Sequence, residues 1–136
     1  LPHRGTMLMV DRVTDIVSGE WAVAEYDVSI EAHWVSGHFP EQPVMPGVLI
    51  VEALAQTAAL AFLFEKPELQ GSSIYLVGLN RFKFRRPVVP GETLVMRAEI
   101  SASKRGFVSF KVAATVNDER VANGELLATM GTALQA

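Results

Sequence analysis

The sequence predicts an α+β domain in which one long apolar helix packs against an antiparallel sheet. Three observations carry this. Val48 to Phe64 is almost wholly apolar and free of proline and glycine, the pattern of a buried helix. Six runs rich in β-branched and aromatic residues flank it, two before and four after, bounded by turn-forming residues. The length of 136 residues fits one domain, assigned to residues 1–136, with no internal repeat or low-complexity tract.

The elements follow in order. Leu8 to Val17 reads as a strand, Ser18-Gly19-Glu20 as a turn, and Trp21 to Ile30 as the returning strand, with Val23, Tyr26, Val28 and Ile30 in imperfect alternation. Glu31 to Ser36 is a short irregular or helical turn. Gly37 to Gly47 is dense in glycine and proline, so it reads as an ordered loop, and it carries His38. Pro46 lies in the first turn of the helix, where a missing N–H costs nothing. Pro67 limits its far end, because a residue preceding proline is biased away from helical geometry. After a polar connection, Ser73 to Phe84 is strand-like and is closed off by Pro87 and Pro90-Gly91. Glu92 to Ser103 places Leu94, Met96, Ala98 and Ile100 on one face. Lys104-Arg105-Gly106 turns the chain into Phe107 to Val116, where Val108, Phe110 and Val112 alternate against Phe107, Ser109 and Lys111. A turn at Asn117 to Glu119 precedes the last strand, Arg120 to Met130. A single sheet covers one side of a helix that is apolar all round, so a second copy of the chain is expected to cover the rest as a homodimer.

Composition narrows the function. A net charge of −3 and a pI near 5.6 speak against a nucleic-acid partner. The absence of cysteine excludes a disulfide scaffold, a thiol nucleophile and thiolate metal ligands. It suits a reducing compartment, and a cytoplasmic location is expected. Leu1 to Arg4 lacks the apolar core of a signal peptide. The helix approaches transmembrane length, but Glu52 and Gln56 lie in its middle, so no membrane span is expected.

Glu52 is the first chemical candidate. A carboxyl is almost never fully buried unless paired, and Val48, Leu49, Ala55, Gln56 and Ala59 offer no cation within helical reach. An apolar setting without a cation favours the neutral carboxylic acid, the form that general-acid catalysis uses. The alternative is a structural carboxyl. Gln56, one turn on, is expected to hydrogen-bond Glu52 or neighbouring backbone. His38 is the candidate base, held between Gly37 and Phe39-Pro40, although a lone loop histidine is more often structural. His3 and His33 have no comparable setting, and the three histidines form no metal-binding signature. Gly47 stands at the helix start, where amides lack intrahelical partners and the dipole is positive, so it is either a plain turn glycine or part of an oxyanion site. Arg81, Lys83, Arg85 and Arg86 form a basic cluster, read as a solvated sheet face or as a docking patch for an acidic partner, with Lys104 and Arg105 as an extension. Phe82 and Phe84 alternate to the opposite face from Arg81, Lys83 and Arg85.

The stretch GHFPEQPVMPGVLIVEALAQ resembles the signature of the bacterial (3R)-hydroxyacyl-[acyl-carrier-protein] dehydratases of the FabZ type. LPHRGTMLMVDRV, GLNRFKFRRPVVPGE and the KRG turn match in the family's order, so the similarity spans nearly the whole chain. The resemblance implies a hotdog fold, a central helix wrapped by an antiparallel sheet, dimerised edge to edge and commonly assembled as three dimers in a hexamer. It places the catalytic histidine at His38, the catalytic carboxylate at Glu52 and the backbone donor to the thioester carbonyl near Gly47 and Val48. Phe39 and Gln56 join these as expected substrate-binding positions. The sister type that also isomerises the double bond carries Asp where this chain has Glu52. Gly5, Trp34-Val35 and Gly78 to Phe84 depart from the family's usual residues, and they bear on acyl length and on the carrier protein.

The expected reaction is dehydration of a β-hydroxyacyl thioester in fatty acid biosynthesis. His38 takes the α-proton, Glu52 protonates the departing hydroxyl, and the Gly47–Val48 amides hold the thioester oxygen. No metal or redox cofactor is expected, since the phosphopantetheine arrives with the acyl-carrier substrate. An apolar tunnel beside the helix is expected to take the acyl tail. The alternatives are a polyketide or aryl-polyene dehydratase, a hotdog-fold acyl thioesterase, and a carrier-binding subunit without chemistry.

Overall fold

The computed structural model describes residues 8–32, 35, 42–66, 68 and 74–130. The chain runs β1 (Arg12–Val17), β2 (Trp21–Asp27), α1 (Gly47–Leu63), β3 (Ile74–Phe84), β4 (Thr93–Lys104), β5 (Phe107–Val116) and β6 (Glu119–Met130). Each element lies within a few residues of its sequence-based bounds.

The strands form one antiparallel sheet in the order β1-β2-β4-β5-β6-β3. After α1 the chain therefore crosses to the far edge before returning through β4 beside β2. The core faces of β4 and β5 are those the alternation selects: Leu94, Met96, Ala98, Val108, Phe110 and Val112 are all buried. On β2 the outcome differs. Ala22 and Ala24 face the core and are fully buried, Val23 is only half-buried, and Ile30 is exposed beyond the strand. Small residues here let α1 approach the sheet closely, a requirement that a search for bulky apolar residues does not detect.

α1 packs chiefly on β4 and β2 and less on β5 and β3. Ten of its 17 residues are buried within the protomer. Of the other seven, Val48 at 76 % exposure and the partly covered Glu52, Ala55 and Phe62 lie along one side at helical spacing, and Gly47, Leu49 and Leu60 are also partly covered. Among the described residues no helix is long and apolar enough to cross a membrane.

β3 is an edge strand, and its pairing with β6 breaks register between Leu76 and Gly78 and between Asn80 and Lys83. Arg81 sits in the second break at φ 55°, so the strict alternation of Arg81, Lys83 and Arg85 is interrupted. Phe82 and Phe84 do share a side, with ring centroids 6.1 Å apart. Phe82 fills the space over Gly124, where a Cβ would stand 2.5 Å from its Cδ2. Gly124→Ala is expected to destabilise the protein by about 1–3 kcal/mol through overpacking. Gly78→Ala, whose Cβ would meet Leu127 Cβ at an ordinary 3.5 Å, should leave stability near wild type. Paired denaturant unfolding curves test both.

Candidate active site

The first turn of α1 is built around Pro46. Its carbonyl accepts hydrogen bonds from Leu49 N–H (2.9 Å) and Ile50 N–H (3.2 Å), and no side chain caps the helix. The Gly47 and Val48 amides precede the first intrahelical donors and lie at the positive end of the dipole. The Phe84 ring lies against Gly47, where a Cβ would come within 3.2 Å of Cε1. Glycine thus admits the ring and leaves no side chain of its own over the amides.

The helix start is held by the β3–β4 connection. Met45 N–H donates to Val88 O at 2.7 Å, and both residues are buried. Arg86 braces that connection. It donates from Nη1 and Nη2 to the two Glu92 carboxylate oxygens at 3.0 Å each, and from Nη1 to Pro87 O at 2.8 Å. Its Nε lies 3.3 Å from Glu119 Oε1. Glu92 also accepts Val89 N–H at 2.9 Å. Hydrogen bonding to Arg86 is the main cause that holds the Glu92 carboxyl below its ordinary range.

Glu52 stands one turn into α1, on the side that carries Val48, and is half-buried. Gln56 Nε2 donates to Glu52 Oε2 at 3.0 Å, while Gln56 Oε1 accepts Met9 N–H at 2.8 Å. Both Gln56 and Met9 are about 1 % exposed. The buried Met9 amide fixes which end of the Gln56 amide points at the carboxylate, so Gln56 positions Glu52 from behind. Of the two roles expected for Gln56, hydrogen bonding to Glu52 and to backbone are both realised at once.

Glu52 and Gln56 are the polar residues that line a cleft of about 140 Å³ between α1 and the β5–β6–β3 half of the sheet. Because α1 rests on β2 and β4, this half is left apart from the helix. The walls beyond the carboxylate are apolar: Ala55, Ala59 and Leu63 from α1, facing Ile74, Phe110 and Leu126. From Glu52 to Leu63 the cleft follows α1 for roughly 16 Å at helical rise. It answers the expected apolar tunnel. His38, Gly37 and Phe39 lie outside the described residues.

The basic cluster divides. Arg86 is committed within the fold, and Arg85 Nε donates to Asn123 Oδ1 at 3.2 Å. Arg81 and Lys83 are exposed. Arg81 borders a shallow depression on the outer sheet face together with Arg97, Lys111 and Arg120, and with Glu99 and Glu125. The last three cations were not singled out by sequence reasoning. They stand on separate strands, so only the register of β4, β5 and β6 brings them beside β3.

A model of the FabA-like domain matches residues 1–125. The chain belongs to the FabA-like family. Relatives with the FabZ name match the chain over nearly their whole length. The chain is 44% identical over 131 residues to the 3-hydroxyacyl-[acyl-carrier-protein] dehydratase FabZ of Clostridium botulinum (strain Okra / Type B1), covering 96% of this chain and 90% of that one. It is 46% identical over 127 residues to the FabZ of Oenococcus oeni, covering 93% and 91%. Among solved structures, the dehydratase heterocomplex ApeI:P from Xenorhabdus doucetiae superposes with a TM-score of 0.82 at 18% identity, over 99% of this chain and 91% of that one. The hotdog fold implied by the FabZ-type signature is therefore the fold of this chain.

The Arg86–Glu92 clip gives a pH prediction. A carboxyl whose folded pKa is depressed contributes stability that is present above its unfolded pKa and is lost as pH falls through the folded value. Glu92→Gln should therefore reduce stability most above about pH 5. The gap to wild type should narrow steadily below about pH 4, as read from urea unfolding across that range.

Proposed function

We propose that this FabZ-type chain is a hydro-lyase converting (3R)-hydroxyacyl-[acyl-carrier-protein] to trans-2-enoyl-[acyl-carrier-protein] in fatty acid biosynthesis. The observation that carries this is Glu52, held by Gln56 in the lining of an apolar cleft, on a helix whose start has no side-chain cap. His38 removes the α-proton, and the electrons of that C–H bond form the Cα–Cβ double bond. The β C–O bond breaks, and Glu52 supplies the proton with which hydroxide leaves as water. The Gly47 and Val48 amides stabilise charge on the thioester oxygen while the α-proton departs. Base, acid and amides account for every bond change, so the reaction is assigned no resident metal or redox cofactor. The relatives' names supply the substrate class, an acyl thioester on acyl carrier protein, and a cytoplasmic location accords with it.

The working unit is assigned as a homodimer, assembled further as a trimer of dimers. Two features support pairing: the partly covered side of α1 that carries Val48, and the β3 edge, where Tyr75, Leu76, Val77 and Leu79 are exposed. A long apolar edge strand invites another strand. In the dimer His38 of one copy works with Glu52 of the other.

His38→Ala and Glu52→Gln should each abolish most turnover in a folded protein, because one base and one acid act in one step. Equal amounts of the two variants, unfolded and refolded together, should form about half mixed dimers. In a mixed dimer one site receives both mutations and the other neither, so roughly a quarter of wild-type activity returns if sites act independently. A mixture as inactive as its parents would show that the pair lies within one chain.

Carrier docking is assigned to the cationic surface around β3. Arg81, Lys83 and Arg85 are its exposed members, whereas Arg86 serves the clip. Arg85→Glu and Lys83→Glu should lower kcat/KM for carrier-bound substrate far more than for short pantetheine thioesters. The difference should shrink with added salt, as an electrostatic docking contribution requires. Equal losses on both substrates would remove docking from this surface.

A further inference from the structure

Next to the apolar cleft lies a second void of about 10 Å³, lined by Phe62, Val108 and Thr129 together with Ile74, Phe110 and Ala128. The last three also line the main cleft. Ile74, Phe110 and Ala128 are thus the residues the two voids share. Phe110 is the largest side chain of the three and only 2 % exposed. The second void is about the smallest that holds one water, and its one polar wall is already satisfied: Thr129 Oγ1 donates to Gly106 O at 2.9 Å. Nothing on that side calls for a polar ligand.

Resting on the dehydratase assignment, we infer that Phe110, backed by Ile74 and Ala128, is the floor of the acyl site and sets the longest chain the enzyme handles efficiently. The order along the cleft supports this. Glu52 and Gln56 stand toward the start of α1 and Ala55 and Ala59 follow, while Phe110 pairs with Ile100, whose N–H donates to Glu20 O next to the Gly19–Ala61 hydrogen bond near the end of α1. A chain anchored by its reacting carbons at Glu52 meets alanines along the helix side and then the Phe110 ring. The backbone of Phe110 is held by the sheet, paired with Ile100 on β4 and Leu126 on β6, and its side chain is buried.

The test is a profile of kcat/KM against acyl length, in two-carbon steps from short to long, for wild type, Phe110→Leu and Ala128→Val. Phe110→Leu stays apolar and removes volume, whereas Ala128→Val adds two methyl groups at a buried position, so urea unfolding first establishes that each variant is folded. Wild type should fall by about 10-fold or more for each methylene that no longer fits. Normalised to the shortest substrate, Phe110→Leu should move this fall to longer chains by at least one step. Ala128→Val, which adds bulk to the floor, should move it to shorter ones. Opposite shifts in the two variants establish the floor. Active variants whose profiles superimpose on wild type overturn the floor while leaving the dehydratase assignment standing. A wild-type protein that hydrates or dehydrates no acyl thioester of any length overturns that assignment and the inference with it.

Discussion

A carboxyl carried in the middle of an apolar helix must be held, and the rest of this structure follows from how it is held. Gln56 is the only polar neighbour of Glu52 on its own helix face, one turn away. Gln56 is itself buried, so its amide needs partners at both ends. Met9 supplies one through its backbone N–H and Glu52 is the other. Removing the glutamine would strand the buried Met9 amide at a cost of about 1–3 kcal/mol. The segment before β1 is thereby tied to α1 through the same side chain that orients Glu52.

The cleft depends on where α1 sits. Ala22 and Ala24 on β2 and Ala98 on β4 let the helix settle on one half of the sheet, where these alanines are fully buried. The other half then stands off and leaves the apolar space beside Glu52. At the helix start, Gly47 under Phe84 and the Met45–Val88 bond fix the amides relative to that space. The Arg86–Glu92 pair keeps the β3–β4 connection in place beneath them. Glu52, the Gly47 and Val48 amides and the apolar cleft are thus positioned by contacts of α1 and of the loops around its start.

Most of the fold was legible in the sequence because its signals are local. A long apolar run, period-two strands and glycine or proline turns placed every described element to within a few residues. Glu52 was legible because a carboxyl is anomalous in that run, and Gln56 because it lies one turn away. What escaped the sequence depends on long-range pairing. The core face of β2 is alanine, which gives no apolar alternation. Arg97, Lys111 and Arg120 converge with Arg81 only through sheet register. Arg86 looks like one more member of a basic run, yet its partners Glu92 and Glu119 sit six and 33 residues away. The Met9 bond spans 47 residues, and no pattern announces it.

The central claim is that Glu52 and its surroundings act on the β-carbon of an acyl thioester rather than on its carbonyl. The direct measurement is to incubate the protein with an enoyl thioester and follow enoyl absorbance and free thiol together. Loss of enoyl absorbance without thiol release is the predicted result, the dehydration run in reverse. Thiol release would contradict it and mark a thioesterase, and no change in either signal would leave a binding protein without this chemistry.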